Sequence, residues 1–197
     1  EYVFGSKKIK RFEKGDELVD AARQALADKQ RKRDAAHMQA LRPLFDVTEK
    51  FLAETRPEGL PELIVDAVCK HLRCQNAAYY QYQEDGWQLL FKRGQAPPTS
   101  DNEATLAFIR TLDEPVAIHE GSSSNSVIQK ELKKLGLGTA LFIPSTQAPI
   151  NAVIFAGREN AEDVFREIDS DTLVILTRQA AVAVENAQLY EELRDYV

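Results

Sequence analysis

Three histidines and two cysteines have the strongest claim on chemistry in this chain. His37 and His71 lie in stretches of helical periodicity, where a lone histidine is ordinarily a surface or hydrogen-bonded residue. His119 ends a short apolar run, EPVAIHE, and could hydrogen-bond a ligand or ligate a haem iron. Cys69 and Cys74 stand five apart around the end of a helix. They are too few for a disulfide scaffold, they fit a reducing compartment, and helix packing accounts for both. The run GSSSNS (121–126) offers hydroxyls and amides to a polar ligand or phosphate. It lacks the Gly-rich pattern of a phosphate loop, and a polar lid is the plainer reading. No catalytic constellation and no metal-ligand set assembles from these residues, so the chain is expected not to be an enzyme.

The elements that would position them follow from periodicity. LPELIVDAVCKHLRC (60–74) reads as a helix with Pro61 in its tolerant first turn. Its apolar face is Leu60, Leu63, Ile64, Ala67, Val68 and Leu72. NAAYYQYQ (76–83) and WQLLFKRG (87–94) alternate as strands around a Glu84-Asp85-Gly86 turn. The Pro pair in QAPPTSDN (95–102) excludes helix there. NEATLAFIRTL (102–112) is a short helix, EPVAIHE (114–120) a strand, and VIQKELKKLG (127–136) a helix stopped by Gly136. TALFIPS (139–145) and NAVIFAGRE (151–159), joined by QAPI (147–150), are the most apolar strands and are expected at the sheet centre. Two direct hairpins make the sheet largely antiparallel, with helices against it: an α+β domain.

Two long helices flank this domain. The last, from Asp169 to Val197, contains no Pro or Gly, with Asp169 or Ser170 expected as its N-cap. Leu173, Leu176, Ala180, Ala183, Ala187 and Tyr190 form one stripe; Ile175, Val182, Leu189 and Tyr196 form a second. Two stripes imply two buried contacts, one on the chain's own core and one on a partner helix. The helix would span about 40 Å, longer than a small domain needs. Without a stop signal it is expected to lead into a further domain. The first long helix, Asp16 to Thr55, has a weak seam at Leu18, Ala22 and Ala25, then a charged run, KQRKRD. Met38, Leu41, Phe45 and Leu52 resume the pattern, and Pro43 should kink or divide it. A parallel two-chain coiled coil is the economical use of these helices. Its dimer interface is expected at Met38, Leu41, Phe45, Leu52, Val182, Leu189, Leu193 and Tyr196. The alternative is a solvated helix packed on its own domain. Residues 1–15 read as an irregular start or the end of a preceding domain, and 16–56 as a linker.

Composition sets the class. Apolar residues make up 44% of the 197, enough for a core. The formal charge of −6 argues against nucleic acid, which needs a basic field. That charge is uneven: residues 1–55 hold 12 Lys+Arg against 10 Asp+Glu, and the rest hold 13 against 21. No apolar run approaches the roughly 20 residues of a membrane span, and no signal peptide is evident.

Residues 57–197 resemble a GAF domain, the small-molecule-sensing relative of the PAS fold. The resemblance rests on a helix leading into NAAYYQYQEDGWQLLFKRG, on the strand pair in GLGTALFIPSTQAPINAVIFAGR, and on a closing helix with an Ala-Val-Glu-Asn-Ala run. It implies a central antiparallel sheet of five or six strands. One face would be covered by the terminal helices and the other would carry a pocket roofed by short helices. On that reading Phe91, Phe108, Ile118, His119, Ser126, Phe142 and Phe155 line the pocket, although the apolar ones could equally fill it. Bilin-binding relatives carry an attachment cysteine where this chain has HEGSSSNSV, which argues against a covalent bilin; haem would rest on His119 alone and is disfavoured. Methionine-sulfoxide-reducing relatives need pocket cysteines that Cys69 and Cys74 do not supply. Asn160, Phe165 and Asp169, without a Lys, do not match the cyclic-nucleotide signature. The resemblance implies a non-catalytic sensory and dimerisation module of a bacterial-type cytoplasmic signalling protein. It would pass a small-molecule or upstream-domain signal through paired parallel helices to an effector domain. The alternatives are a structural dimerisation domain without a ligand and, remotely, a sulfoxide-reductase-like enzyme.

Overall fold

The computed structural model describes residues 2–3, 9–10, 15–41, 44–119, 126–145 and 150–195, and the chain divides into two compact units, Glu1–Arg42 and Pro43–Val197. In the first unit, β1 (Tyr2–Val3) and β2 (Ile9–Lys10) pair antiparallel, with Val3 opposite Ile9. The start expected to be irregular therefore holds a short two-stranded ribbon. Helix α1 runs over Gly15–Leu41 and leaves Val19 and Leu26 exposed. Helix α2 (Leu44–Ala53) begins on the far side of Pro43. Of the two outcomes expected at Pro43, a kink or a division, the helices show the division, in keeping with the missing backbone donor. The second unit begins upstream of residue 57, because Leu44, Val47 and Phe51 of α2 are buried within it.

A 3-10 turn (Pro57–Gly59) leads into α3 (Leu60–Leu72), which buries Leu60, Ile64, Ala67, Val68 and Leu72. Strands β3 (Asn76–Gln83) and β4 (Gly86–Arg93) form the first hairpin, with Gln83 opposite Gly86. Then come α4 (Glu103–Arg110), β5 (Val116–Ile118), α5 (Ser126–Lys134), β6 (Thr139–Pro144), β7 (Ala152–Arg158) and α6 (Glu167–Asp195). The five strands of this unit form one antiparallel sheet in the order β4-β3-β7-β6-β5. Strands β6 and β7 are interior and buried along nearly their whole length, in keeping with their continuous apolar runs. Helices α3 and α6 cover one face, with α2 against α6; α4 and α5 pack on the other.

Helix α6 starts two residues earlier than expected. The Arg166 N–H donates to Asp169 Oδ2 at 2.8 Å, so Asp169 caps the helix from its third position rather than from outside. Leu173, Leu176, Ala180, Ala183 and Ala187 are buried, so the first stripe belongs to the core. Tyr190, assigned to the same stripe, is exposed.

Candidate functional site

The face of the sheet opposite α3 and α6 is where a pocket was expected. It is built from Ala78 and Tyr80 of β3, Ala140 and Phe142 of β6, and Val153 and Phe155 of β7. Ile109 of α4 and Ile128 and Leu132 of α5 close over it. Phe142 has no exposed surface, and its ring lies 4.9 Å from that of Phe108 and 5.0 Å from that of Phe155. Aromatic rings at such separations are in contact. Phe108, Ile118, Phe142 and Phe155 are thus brought together, and they fill the space rather than line it.

Polar contacts tie the roof down. Tyr80 donates its hydroxyl to the Pro97 carbonyl at 2.7 Å, and burial holds its phenol far above the usual range. The Leu89 N–H donates to Thr99 Oγ1 at 3.2 Å. Asn102 caps α4 by accepting from the Thr105 N–H at 3.0 Å, while its amide donates to Glu131 of α5 at 3.0 Å. Hydrogen bonds from Lys134 and then Asn102 keep Glu131 below the usual carboxylate range. The Thr105 hydroxyl is buried beneath α4 with no partner among the described residues.

At the edge of this face, among the described residues, lies a cleft of about 50 Å³ between Ile118, His119, Gln129, Lys133 and Gly138. That volume is well below the roughly 300–1,000 Å³ of ligand clefts. His119 is exposed at its rim, where its carbonyl accepts from Gln129 Nε2 at 3.0 Å. Ser126 is exposed at the start of α5.

Phe91 needs a correction. It pairs with Tyr79, whose partner on β7 is Ile154, whereas Phe142 and Phe155 share a register row with Ala78. Alternate residues of a strand point to opposite faces, so Phe91 stands on the α3 side. A bulge follows at Leu90, because Tyr79 pairs with Phe91 but Tyr80 pairs with Leu89. Simple alternation along β4 does not survive it.

The residues compared with a cyclic-nucleotide signature all have structural work. Asn160 accepts from the Glu162 N–H at 2.9 Å, Phe165 lies 4.1 Å beneath the Arg158 guanidinium, and Asp169 caps α6. Arg158 joins three elements. It donates to the Leu72 carbonyl at 2.8 Å and to Asp163 at 3.1 Å, and stands 3.7 Å from Asp169. Sequence reasoning did not single Arg158 out, since a strand-end arginine carries no motif. It also missed two open grooves beside α6. One, about 350 Å³, lies at Pro57, Gln81, Gln83, Val184 and Gln188; the other, about 290 Å³, lies at Arg56, Tyr190 and Arg194. Among the expected dimer residues, Leu52, Val182, Leu189 and Leu193 are exposed on this chain. The side chains of Met38, Leu41, Phe45 and Tyr196 lie outside the described residues. No group of three His, Cys, Asp or Glu among the described residues could hold a metal ion. No helix among them is long and apolar enough to cross a membrane.

A five-stranded antiparallel sheet with terminal helices on one face and short helices on the other has clear counterparts among solved structures. A GAF domain from a Pseudomonas syringae pv. tomato protein assigned as a sensor histidine kinase matches 87% of this chain and 99% of its own, at 16% identity and a TM-score of 0.54. The fold is that of a GAF domain. The GAF domain of an Acinetobacter phosphoenolpyruvate-protein phosphotransferase matches 77% of this chain and 94% of its own, at 15% identity and a TM-score of 0.56. The phycoerythrobilin-bound GAF domain of a cyanobacterial phytochrome matches 78% and 96%, at 13% identity and a TM-score of 0.55. No family model and no curated protein matches the sequence.

Proposed function

We propose that this GAF domain is a non-catalytic sensory and dimerisation module of a cytoplasmic signal-transduction protein. It works as a homodimer through parallel helices and passes a signal along them to an effector domain. The observation that carries this reading is the double character of α6. One stripe, Leu173 to Ala187, is buried in the domain, while Val182, Leu189, Tyr190 and Leu193 remain exposed on the same helix. A helix that serves its own core and still presents large apolar side chains suits a second contact. Solved GAF domains of similar fold come from a sensor kinase and a phosphotransferase, which supports a regulatory role.

The packed face favours a second reading, in which the domain relays the movement of its neighbours without a small molecule. Phe142 and Phe155 fill the middle of that face, and the cleft at its edge among the described residues is about 50 Å³. A ligand would have to displace α4 and α5, and it could shift the domain only by its preference for that opened state. Two measurements on the purified chain separate the readings. Light scattering at tens of micromolar should report a dimer, and a monomer would overturn the dimerisation half of the proposal. Native mass spectrometry should show the dimer with no added mass if the relay reading holds, and a retained small molecule if the sensory one does.

A further inference from the structure

Cys69 and Cys74 meet across the end of α3. Arg73 takes a left-handed backbone, with φ 50°, and its N–H donates to the Cys69 carbonyl. The Cys74 N–H donates to the same carbonyl at 3.2 Å. This bonding is a Schellman-type cap, which habitually brings the side chain beyond the turn against the one in the last helical turn. Here both positions are cysteines. Both thiols are free, and the backbone bond from Cys74 to Cys69 holds the two residues together. Residues joined by a direct backbone hydrogen bond stand near the roughly 4.4–6.8 Å between α-carbons that a disulfide spans. A small oxidant can reach the pair, since Cys69 is only half-buried and Cys74 borders a polar cleft of about 170 Å³ beside Asn76 and Arg158.

We propose that Cys69 and Cys74 are a redox site, closing a reversible intramolecular disulfide in response to a hydroperoxide and altering the start of α6. Cys69 is the attacking residue. The hydrogen bond from Cys74, and then the charge of Arg93, hold its thiol below the usual range, with burial and Asp66 opposing. The hydrogen bond to Cys69, and then burial, push the Cys74 thiol up. In the first step the Cys69 thiolate attacks the peroxide. An S–O bond forms, the O–O bond breaks, and the departing oxygen takes up a proton to leave as alcohol or water. In the second step Cys74 attacks the Cys69 sulfenic sulfur. The S–S bond forms, the S–O bond breaks, and hydroxide leaves as water with the Cys74 proton. Two thiols lose two electrons and one O–O bond gains them.

The ring so closed contains Leu72, whose carbonyl accepts from Arg158 Nη2 at 2.8 Å. Arg158 stands 3.7 Å from the Asp169 carboxylate, which caps α6. Reshaping the α3 cap therefore reaches the first turn of α6 through contiguous contacts. None of this depends on the dimer or on a pocket ligand.

The test treats the purified chain with hydrogen peroxide, followed by intact mass and peptide mapping. The wild-type chain should lose two hydrogens, link Cys69 to Cys74 within one chain, and regain both thiols with dithiothreitol. Cys74→Ser should stop at a sulfenic acid on Cys69 that dimedone traps, and Cys69→Ser should react about tenfold more slowly. Hydrogen exchange of the amides in 166–172 should change about threefold or more on oxidation. Two unreacted thiols in the wild type, or a disulfide only between chains, would overturn the site. Unchanged exchange in the oxidised chain would overturn its coupling to α6. The wild-type measurements need no variant to fold.

Discussion

Phe142 sits where a ligand would have to go. It has no exposed surface and touches rings on two sides, so its removal leaves a hole that the β-strands cannot close. Phe142→Ala should cost about 3–5 kcal/mol in urea unfolding. A loss under about 1 kcal/mol would mean that the face is not packed as described. His71 presents a different residue-scale problem. Its Nε2 is buried without a partner among the described residues. Burial, and then Lys70, hold its pKa below the ordinary 6.5, with Asp46 opposing. The unfolded chain therefore takes up the proton first as pH falls. This contribution to stability is complete above pH 6.5 and declines below it, toward the folded pKa. His71→Phe should flatten the fall in thermal midpoint between about pH 7 and pH 5.5. Equal slopes in variant and parent would place the titration elsewhere.

At the scale of elements, α6 divides its labour along its length as well as around it. Its first five turns are held by the sheet and by α3, while Leu189, Tyr190 and Leu193 stand exposed beyond them. If those side chains make the partner contact, Leu189→Asp with Leu193→Asp should give a monomer by light scattering. Stability per chain should change by no more than about 0.5 kcal/mol, because both positions are exposed within the chain. A dimer that survives both charges would put the seam elsewhere. The start of α6 is held differently, by electrostatics. Arg158 and Asp169 stand 3.7 Å apart with side chains only 10% and 12% exposed, so removing either leaves the other a little-solvated charge with one ionic neighbour fewer. That clamp also makes the α3 cap and the α6 cap neighbours, although about 95 residues of chain separate them.

For the whole molecule, local pattern and tertiary packing have separate jurisdictions. Element order, the antiparallel pairing and the GAF architecture were legible from residues 60 to 195, because turn chemistry and the periods of helix and strand are read over a few neighbours. The core stripe of α6 from Leu173 to Ala187 was legible for the same reason. The break at Pro43 followed from one missing N–H. What periodicity could not decide was occupancy: the same Phe108, Phe142 and Phe155 would suit a pocket wall or a core. Only the approach of α4 and α5 makes them a core, and that approach depends on contacts such as Asn102 to Glu131, 29 residues apart. Nor could alternation place Phe91, since a single bulged residue in β4 turns it to the other face. The two cysteines became a pair in the same way. Their spacing was visible from the start, but their contact required Arg73 to adopt a left-handed backbone and fold the chain back on the helix. The sequence by itself determined what each segment would become; only the tertiary structure decided which side chains meet, because meeting depends on bends and bulges that leave no period behind.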